Sequence, residues 1–144
     1  MAQPDTKFSA AVHLLVLLAL NGAPLSSTLM AHSVGANPSQ VRKLLSLLKK
    51  DGMVASRQGV EGYELAKPAK DITLLDVYEA VYEHQGVSVM AIHRNPSDKC
   101  KVGRHIAPVL GSMFATLDSK MAEELAGITV AQVAESMREA VEAE

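Results

Sequence analysis

The run from Lys7 to Asn21 limits this chain more than any other segment. Phe8, Ala11, Val12, Leu15, Leu18 and Ala19 recur at helical spacing, and Gly22 stands where a helix would stop. Leu14, Val16, Leu17 and Leu20 fall outside that stripe, so the predicted helix is apolar nearly all round and must be covered on more than one side. A partner segment or subunit is implied. With three tyrosines, two phenylalanines and no tryptophan in 144 residues, the cover has to come from Leu, Val, Ala and Met on other helices rather than from an aromatic-rich sheet. The apolar stretch Ala10 to Leu20 is split by His13 and is shorter than the ~20 residues that span a bilayer. Asp5 offsets Lys7 ahead of it, which argues against a secretion signal. The single cysteine, Cys100, allows no internal disulfide, so the expected location is the cytoplasm.

Ser26 or Ser27 can cap a short second helix to about Val34, which Gly35 breaks. Asn37-Pro38 then starts a third, because a cap amide is followed by a proline whose missing N–H costs nothing in the first turn. At about 100° per residue, Val41, Leu44, Leu45 and Leu48 gather on one face of this helix. Ser39, Lys43, Ser46 and Lys50 gather on the other, flanked by Gln40 and Arg42. A short helix, a turn and a helix with polar and basic residues outward form the pattern of a helix-turn-helix. After Gly52, Met53 to Arg57 reads as a strand, Gly59 to Gly62 as a turn and Tyr63 to Leu65 as the returning strand. This hairpin is a wing with Arg57 and Gln58 near its tip, ended by Lys67-Pro68.

Thr73 and Asp76 can form a capping box for a helix to about His84. Residues 86–99 read as loop, with Val87 to Ile92 extended. The last long helix carries a stripe of Ile106, Val109, Leu110, Met113, Phe114, Leu117, Met121 and Leu125, with Pro108 starting or kinking it. A small winged domain lacks the core to cover such a stripe, so it should pack against a second subunit. Thr129 caps a final helix, Val130 to Val141, with Val133, Met137 and Val141 inward. The expected fold is mostly α with a small β-hairpin wing. Residues 1–84 form a winged helix-turn-helix and residues 85–144 carry a sensor loop and dimerisation helices.

Charge divides in the same sense. Residues 1–72 hold 8 Lys and Arg against 5 Asp and Glu, and residues 73–144 hold 6 against 11, so the halves carry +3 and −5. Nucleic acid would meet the first half. Ser39, Gln40, Arg42 and Lys43 are cast as base readers, since Arg and Lys suit guanine, Gln suits adenine and Ser adapts to either. Lys7, Lys49, Lys50 and Arg57 are cast as phosphate contacts. In the later loop, Lys99, Lys101 and Arg104 should favour the Cys100 thiolate while Asp98 opposes it, so a redox sensor stands beside an incidental thiol. His93, Cys100 and His105 match no standard zinc spacing and lack a fourth ligand, so no metal or other cofactor is expected. Neither a phosphate-binding glycine loop nor a nucleophile motif is present, and no enzyme reading survives.

Leu44-Leu45, Leu48 to Val54 and Arg57 to Ala66, the last containing Gly59-Val60-Glu61-Gly62-Tyr63-Glu64-Leu65-Ala66, resemble the signature of the Rrf-two family of winged-helix regulators, the IscR, NsrR and CymR type. Ile72 to Val77 is similar to the family's lead into its next helix, and the resemblance covers nearly the whole chain. It implies a homodimer whose long C-terminal helices cross and whose two winged domains read a palindromic operator in double-stranded DNA. Two departures matter. The family commonly has glycine where Glu61 stands, and a carboxylate at the wing would repel phosphate. Members holding an iron-sulfur cluster use three cysteines in the loop before the dimer helix, and here that loop holds only Cys100. The expectation is a DNA-binding repressor, redox-responsive through one thiol and open to a small-molecule effector in a pocket beside the dimer helix. The alternative is a winged-helix protein-interaction module without DNA binding.

Overall fold

The computed structural model describes residues 5–144. Helix α1 (Lys7–Leu20) lies at the centre, as its all-round apolar surface requires, with Ala11, Leu14, Leu15, Val16 and Leu18 buried. Helix α2 (Ser27–Val34) is capped by Ser26, whose side chain accepts from the Leu29 N–H, and ends on Gly35 in the left-handed region. Helix α3 (Pro38–Lys50) buries Val41, Leu44, Leu45 and Leu48. Its end is a Schellman turn: the Gly52 N–H donates to the Lys49 carbonyl and the Met53 N–H to the Leu48 carbonyl, each at 3.0 Å.

That turn corrects the predicted strand. Met53 still belongs to the helix end and drops its side chain into the core, so Met53 and Val54 are both buried, where a strand over Met53 to Arg57 would turn them to opposite faces. Strand β1 is only Val54–Ala55 and pairs antiparallel with β2 (Glu64–Leu65), Val54 opposite Leu65 and Ala55 opposite Glu64. The hairpin is tied down by a contact absent from the sequence reading. Tyr63 bridges Leu25, its N–H donating to the Leu25 carbonyl at 2.7 Å and its carbonyl accepting from the Leu25 N–H at 3.0 Å. Gly62 makes this approach possible: its φ is +107°, and a Cβ there would stand 2.8 Å from the Leu25 backbone.

Helix α4 (Leu74–Val81) carries the full Thr73–Asp76 capping box. It stops short of the expected His84 because Glu83 and His84 both take positive φ, 54° and 61°. Residues 86–99 are irregular, with no strand over Val87 to Ile92, and they lie along helix α5 (Lys101–Ala126) as a strap. The Val89 N–H donates to Asp118 Oδ1 at 3.1 Å, Ile92 packs by Gly111, and the Ser97 carbonyl rests where Gly103 leaves no Cβ. The strap therefore runs antiparallel to α5, and α5 begins seven residues before Pro108, which sits inside it. Helix α6 (Val130–Glu142) has a second capping box, Thr129 with Gln132. Val130 and Ala134 are its buried residues, whereas Met137 and Val141, expected inward, are 44% and 58% exposed. The same face runs on past the end of the core.

An antiparallel bridge between Thr73 and Thr129 joins the two capping boxes, with the Leu74 N–H on the Ile128 carbonyl and the Val130 N–H on the Ile72 carbonyl, each at 2.8 Å. The core thus draws on both parts of the chain, from Ala11 to Val130. Among the described residues no helix is long and apolar enough to cross a membrane.

Candidate nucleic-acid interface

Helix α3 is fixed at both ends, and its outer side is left free. The Ser39 N–H and Ser39 Oγ both donate to Asn37 Oδ1 at 2.8 Å, so the Ser39 hydroxyl helps hold the cap as well as standing on the exposed face. At the other end Asp51 Oδ2 meets His84 Nε2 at 2.7 Å, tying the close of α3 to the residues after α4. Lys49 and Lys50 occupy the last turn, where the helix dipole favours cations.

The exposed side has a crest and two edges. Helical phase puts Ser39, Ser46 and Lys50 on the crest, opposite the buried face. Arg42 and Lys49 lie on one edge, toward the wing: Lys49 Nζ donates to Ser56 Oγ at 2.8 Å. Gln40 and Lys43 lie on the other edge and line a groove of about 830 Å³ together with Lys7 from the first turn of α1. The groove also takes in His13, whose Nε2 lies 3.1 Å from Ser33 Oγ and links α1 to α2. The structure therefore brings Lys7 to Gln40 and Lys43, and Lys49 to the wing. The sequence shows His13 only as a break in an apolar run and does not single out Ser56 for this side, because their partners lie on other elements and no local spacing marks them.

Arg57 stands on the wing with its Nε 2.9 Å from Glu64 Oε1, a pair open to water and so of little worth to stability. It holds the guanidinium above the β2 side of the hairpin. Gln58, Gly59 and Glu61 are exposed in the turn, where Gly59 has φ +80°. Cys100 is exposed at the N-cap of α5, between the end of the strap and the helix, and makes no side-chain cap.

A recognition-type helix packed against a two-stranded wing, with a basic and polar outer side, is the layout of a winged DNA-binding regulator. A profile of the Rrf2 family, described as iron-dependent transcriptional regulators, matches residues 5–136. The chain belongs to this family. It is 38% identical over 129 residues to YwnA of Bacillus subtilis (strain 168), a candidate HTH-type transcriptional regulator, spanning 90% of this chain and 95% of that relative. A crystal structure of a candidate DNA-binding protein is 36% identical with a TM-score of 0.72, covering 88% of this chain and 97% of that one. IscR from T. potens, 22% identical with a TM-score of 0.70 and covering 96% and 90%, shares the fold.

As an Rrf2 protein the chain is a DNA-binding transcriptional regulator rather than an enzyme. The iron in the family's description does not fit its side chains. Cys100 is the sole cysteine, and among the described residues no three His, Cys, Asp or Glu side chains gather as a metal site. A cluster held by cysteine thiolates lacks its ligands here.

Proposed function

We propose that this Rrf2 protein is a homodimeric repressor that blocks a promoter by occupying a palindromic operator in the cytoplasm, where its DNA is. Residues 1–84 read the DNA, and residues 85–144 dimerise and sense. The observation that carries this reading is the continuous outer side of α3, with Arg42 and Lys49 toward the wing, Ser39 and Lys50 on the crest, and Gln40 and Lys43 beside Lys7. Gln40, Arg42 and Lys43 contact base edges, and Lys7, Lys49, Lys50 and Arg57 hold phosphates, with Gln58 at the wing. Support for the dimer comes from α5. Val109, Met113, Leu117 and Met121 are large apolar side chains left exposed on it, with Ile106 beside them, half-buried. Leu110 and Phe114 are also half-buried and turn toward the strap, so they enter the interface at its margin.

The test is fluorescence anisotropy on genomic fragments recovered with the protein, repeated at several salt concentrations. A regulator binds one sequence more tightly than random duplex, and its affinity falls steeply with salt as counterions leave the DNA. The second reading, an interaction module without DNA binding, is favoured by the exposed Glu61 carboxylate in the wing turn. Salt-independent binding, or none to any duplex, would select it.

A thiol response is the finer part of the proposal. Hydrogen peroxide would oxidise the Cys100 thiol to a sulfenic acid, the sulfur taking one oxygen and the other leaving as water. The change falls where the strap turns into α5. Operator affinity of the wild type should fall after mild peroxide while that of Cys100→Ser stays constant, and an equal response in both removes the thiol from the mechanism. The alternative signal is a small-molecule effector.

A further inference from the structure

Five aromatic side chains serve this whole protein, and three of them meet at one place. Phe8 stands edge-on to Tyr78 with ring centroids 5.6 Å apart, and Tyr78 and Tyr82 are tilted by 50° with centroids 4.7 Å apart. The two tyrosines wall a cavity of about 290 Å³ completed by Asp5, Gln85, Gly86 and Ser88. We infer that this cavity is a binding site for a small organic ammonium ion.

The lining selects that chemistry. Among the described residues Asp5 supplies the one charged side chain in the wall, and it is negative. The ring faces of Tyr78 and Tyr82 carry the negative side of their quadrupoles, which attracts a cation lying over them. An anion would meet a carboxylate and two tyrosine rings, with no positive side chain among the described residues of the wall. A divalent metal would find one carboxylate and no His or Cys, and among the described residues no metal-ligand cluster exists. The volume lies at the lower limit of the ~300–1,000 Å³ typical of small-molecule sites, so the occupant is an ion of a few carbons. Burial, and then the Asp5 carboxylate beside it, push the Tyr82 phenol above its ordinary value, which agrees with a wall of negative character around that ring.

Position gives the site its interest. Asp5 lines this cavity and also the groove shared by Lys7, Gln40 and Lys43. Gly86 and Ser88 open the strap, and Tyr78 Oη donates to the Ser88 carbonyl at 3.5 Å. An occupant would sit between the DNA-reading groove and the strap on α5. This deepens the effector reading above, but it rests on the cavity and is tested without DNA.

The experiment is a titration of tyrosine-labelled protein, free of DNA, followed by NMR. Tetramethylammonium chloride is the probe, with sodium chloride and neutral tert-butanol as controls. Tyr63, on the wing, is the internal reference. The expected result is a saturable shift of the Tyr78 and Tyr82 ring signals with Tyr63 unmoved, and no saturation with either control. Asp5→Asn keeps an acceptor for the Lys7 N–H, to which Asp5 Oδ1 lies at 2.8 Å, and should weaken the probe by roughly fivefold. Tyr82→Leu should weaken it by a similar factor. Failure to saturate, an equal response to tert-butanol, equal shifts at Tyr63 or an unchanged affinity in Asp5→Asn would each overturn the site. Because the readout is on the free protein, loss of operator binding and loss of this site are separate results.

Discussion

Helices α3 and α5 are both amphipathic, yet one is completed by its own chain and the other is not. In the 13 residues of α3 every core-facing leucine and valine is buried, and what remains outside is Ser39, Gln40, Arg42, Lys43 and their neighbours. The 26 residues of α5 include no fully buried side chain. The strap and the rest of the protomer cover one flank, and the other presents Val109, Met113, Leu117 and Met121 to solvent, Met113 at 59% exposure. A row of apolar side chains kept in water is unfavourable by about 25 cal/mol per Å² relative to burial. The first helix is finished for a polar ligand such as DNA, and the second is finished only by another apolar surface.

The strongest way to break that contrast is to charge the open flank of α5. Met113→Asp combined with Leu117→Asp should cost the proposed dimer about 2–4 kcal/mol and yield folded monomer by light scattering. Phe114→Asp, on the strap side, should lower the thermal stability of the chain itself. If the Met113/Leu117 variant stays dimeric, the open flank is not the interface.

Next in size is the wing that flanks α3. Gly62→Ala should lose about 1–3 kcal/mol from backbone strain alone, with the Leu25 backbone contact added. Gly59→Ala shares the positive φ but meets nothing within 4 Å, so its loss should be the smaller of the two. Thermal unfolding compares them, and equal losses would show that the Leu25 bridge does not constrain the wing.

On α3 itself, Arg42→Ala and Lys43→Ala should each weaken operator binding by about 1–2 kcal/mol, with less effect on random duplex. Lys49→Ala should weaken both alike and reduce the salt slope by about 1. Anisotropy titrations sort the three, and a uniform loss for Arg42→Ala would move it to the phosphate backbone.

The smallest effect concerns Tyr82. Its phenol should ionise after an ordinary tyrosine, above pH 10, in an ultraviolet titration, and Asp5→Asn should bring it down. Since the folded state raises this value, the neutral phenol's contribution is complete below the unfolded tyrosine's pKa and fades as pH climbs through the raised one. A Tyr82 midpoint left unchanged by Asp5→Asn would remove Asp5 from the wall of the cavity.

Much of this architecture was legible because its signals are local. Asn37-Pro38, Thr73 with Asp76, and Thr129 each mark a helix start within four residues, and the 3.6-residue period separates the buried from the open side of α3. The errors share a cause. The loop over residues 86–99 was legible as loop, but not its course along α5, where the Val89 N–H finds Asp118 on a helix. Met137 and Val141 continue the buried stripe of α6, and periodicity says nothing about where the core ends beneath it. The Leu25–Tyr63 bridge and the Asp51–His84 contact join residues 38 and 33 positions apart, and neither leaves a mark on its neighbours. The polar and basic residues on the outer side of α3 were visible as a set, but their sorting into a wing edge and a groove edge required the positions of Ser56 and Lys7.

The bridge between Thr73 and Thr129 also orders events in time. A ribosome adding ~5–20 residues per second completes α3 roughly 4–16 s before it reaches Val130. During that interval Ile72, fully buried in the finished protein, lacks its backbone donor from Val130 and the cover of α6. A chain released early therefore carries helix α3 complete on a core that still lacks the cover of α6. Placing the last helix against the first makes completion of synthesis a condition for closing the core on which α3 rests.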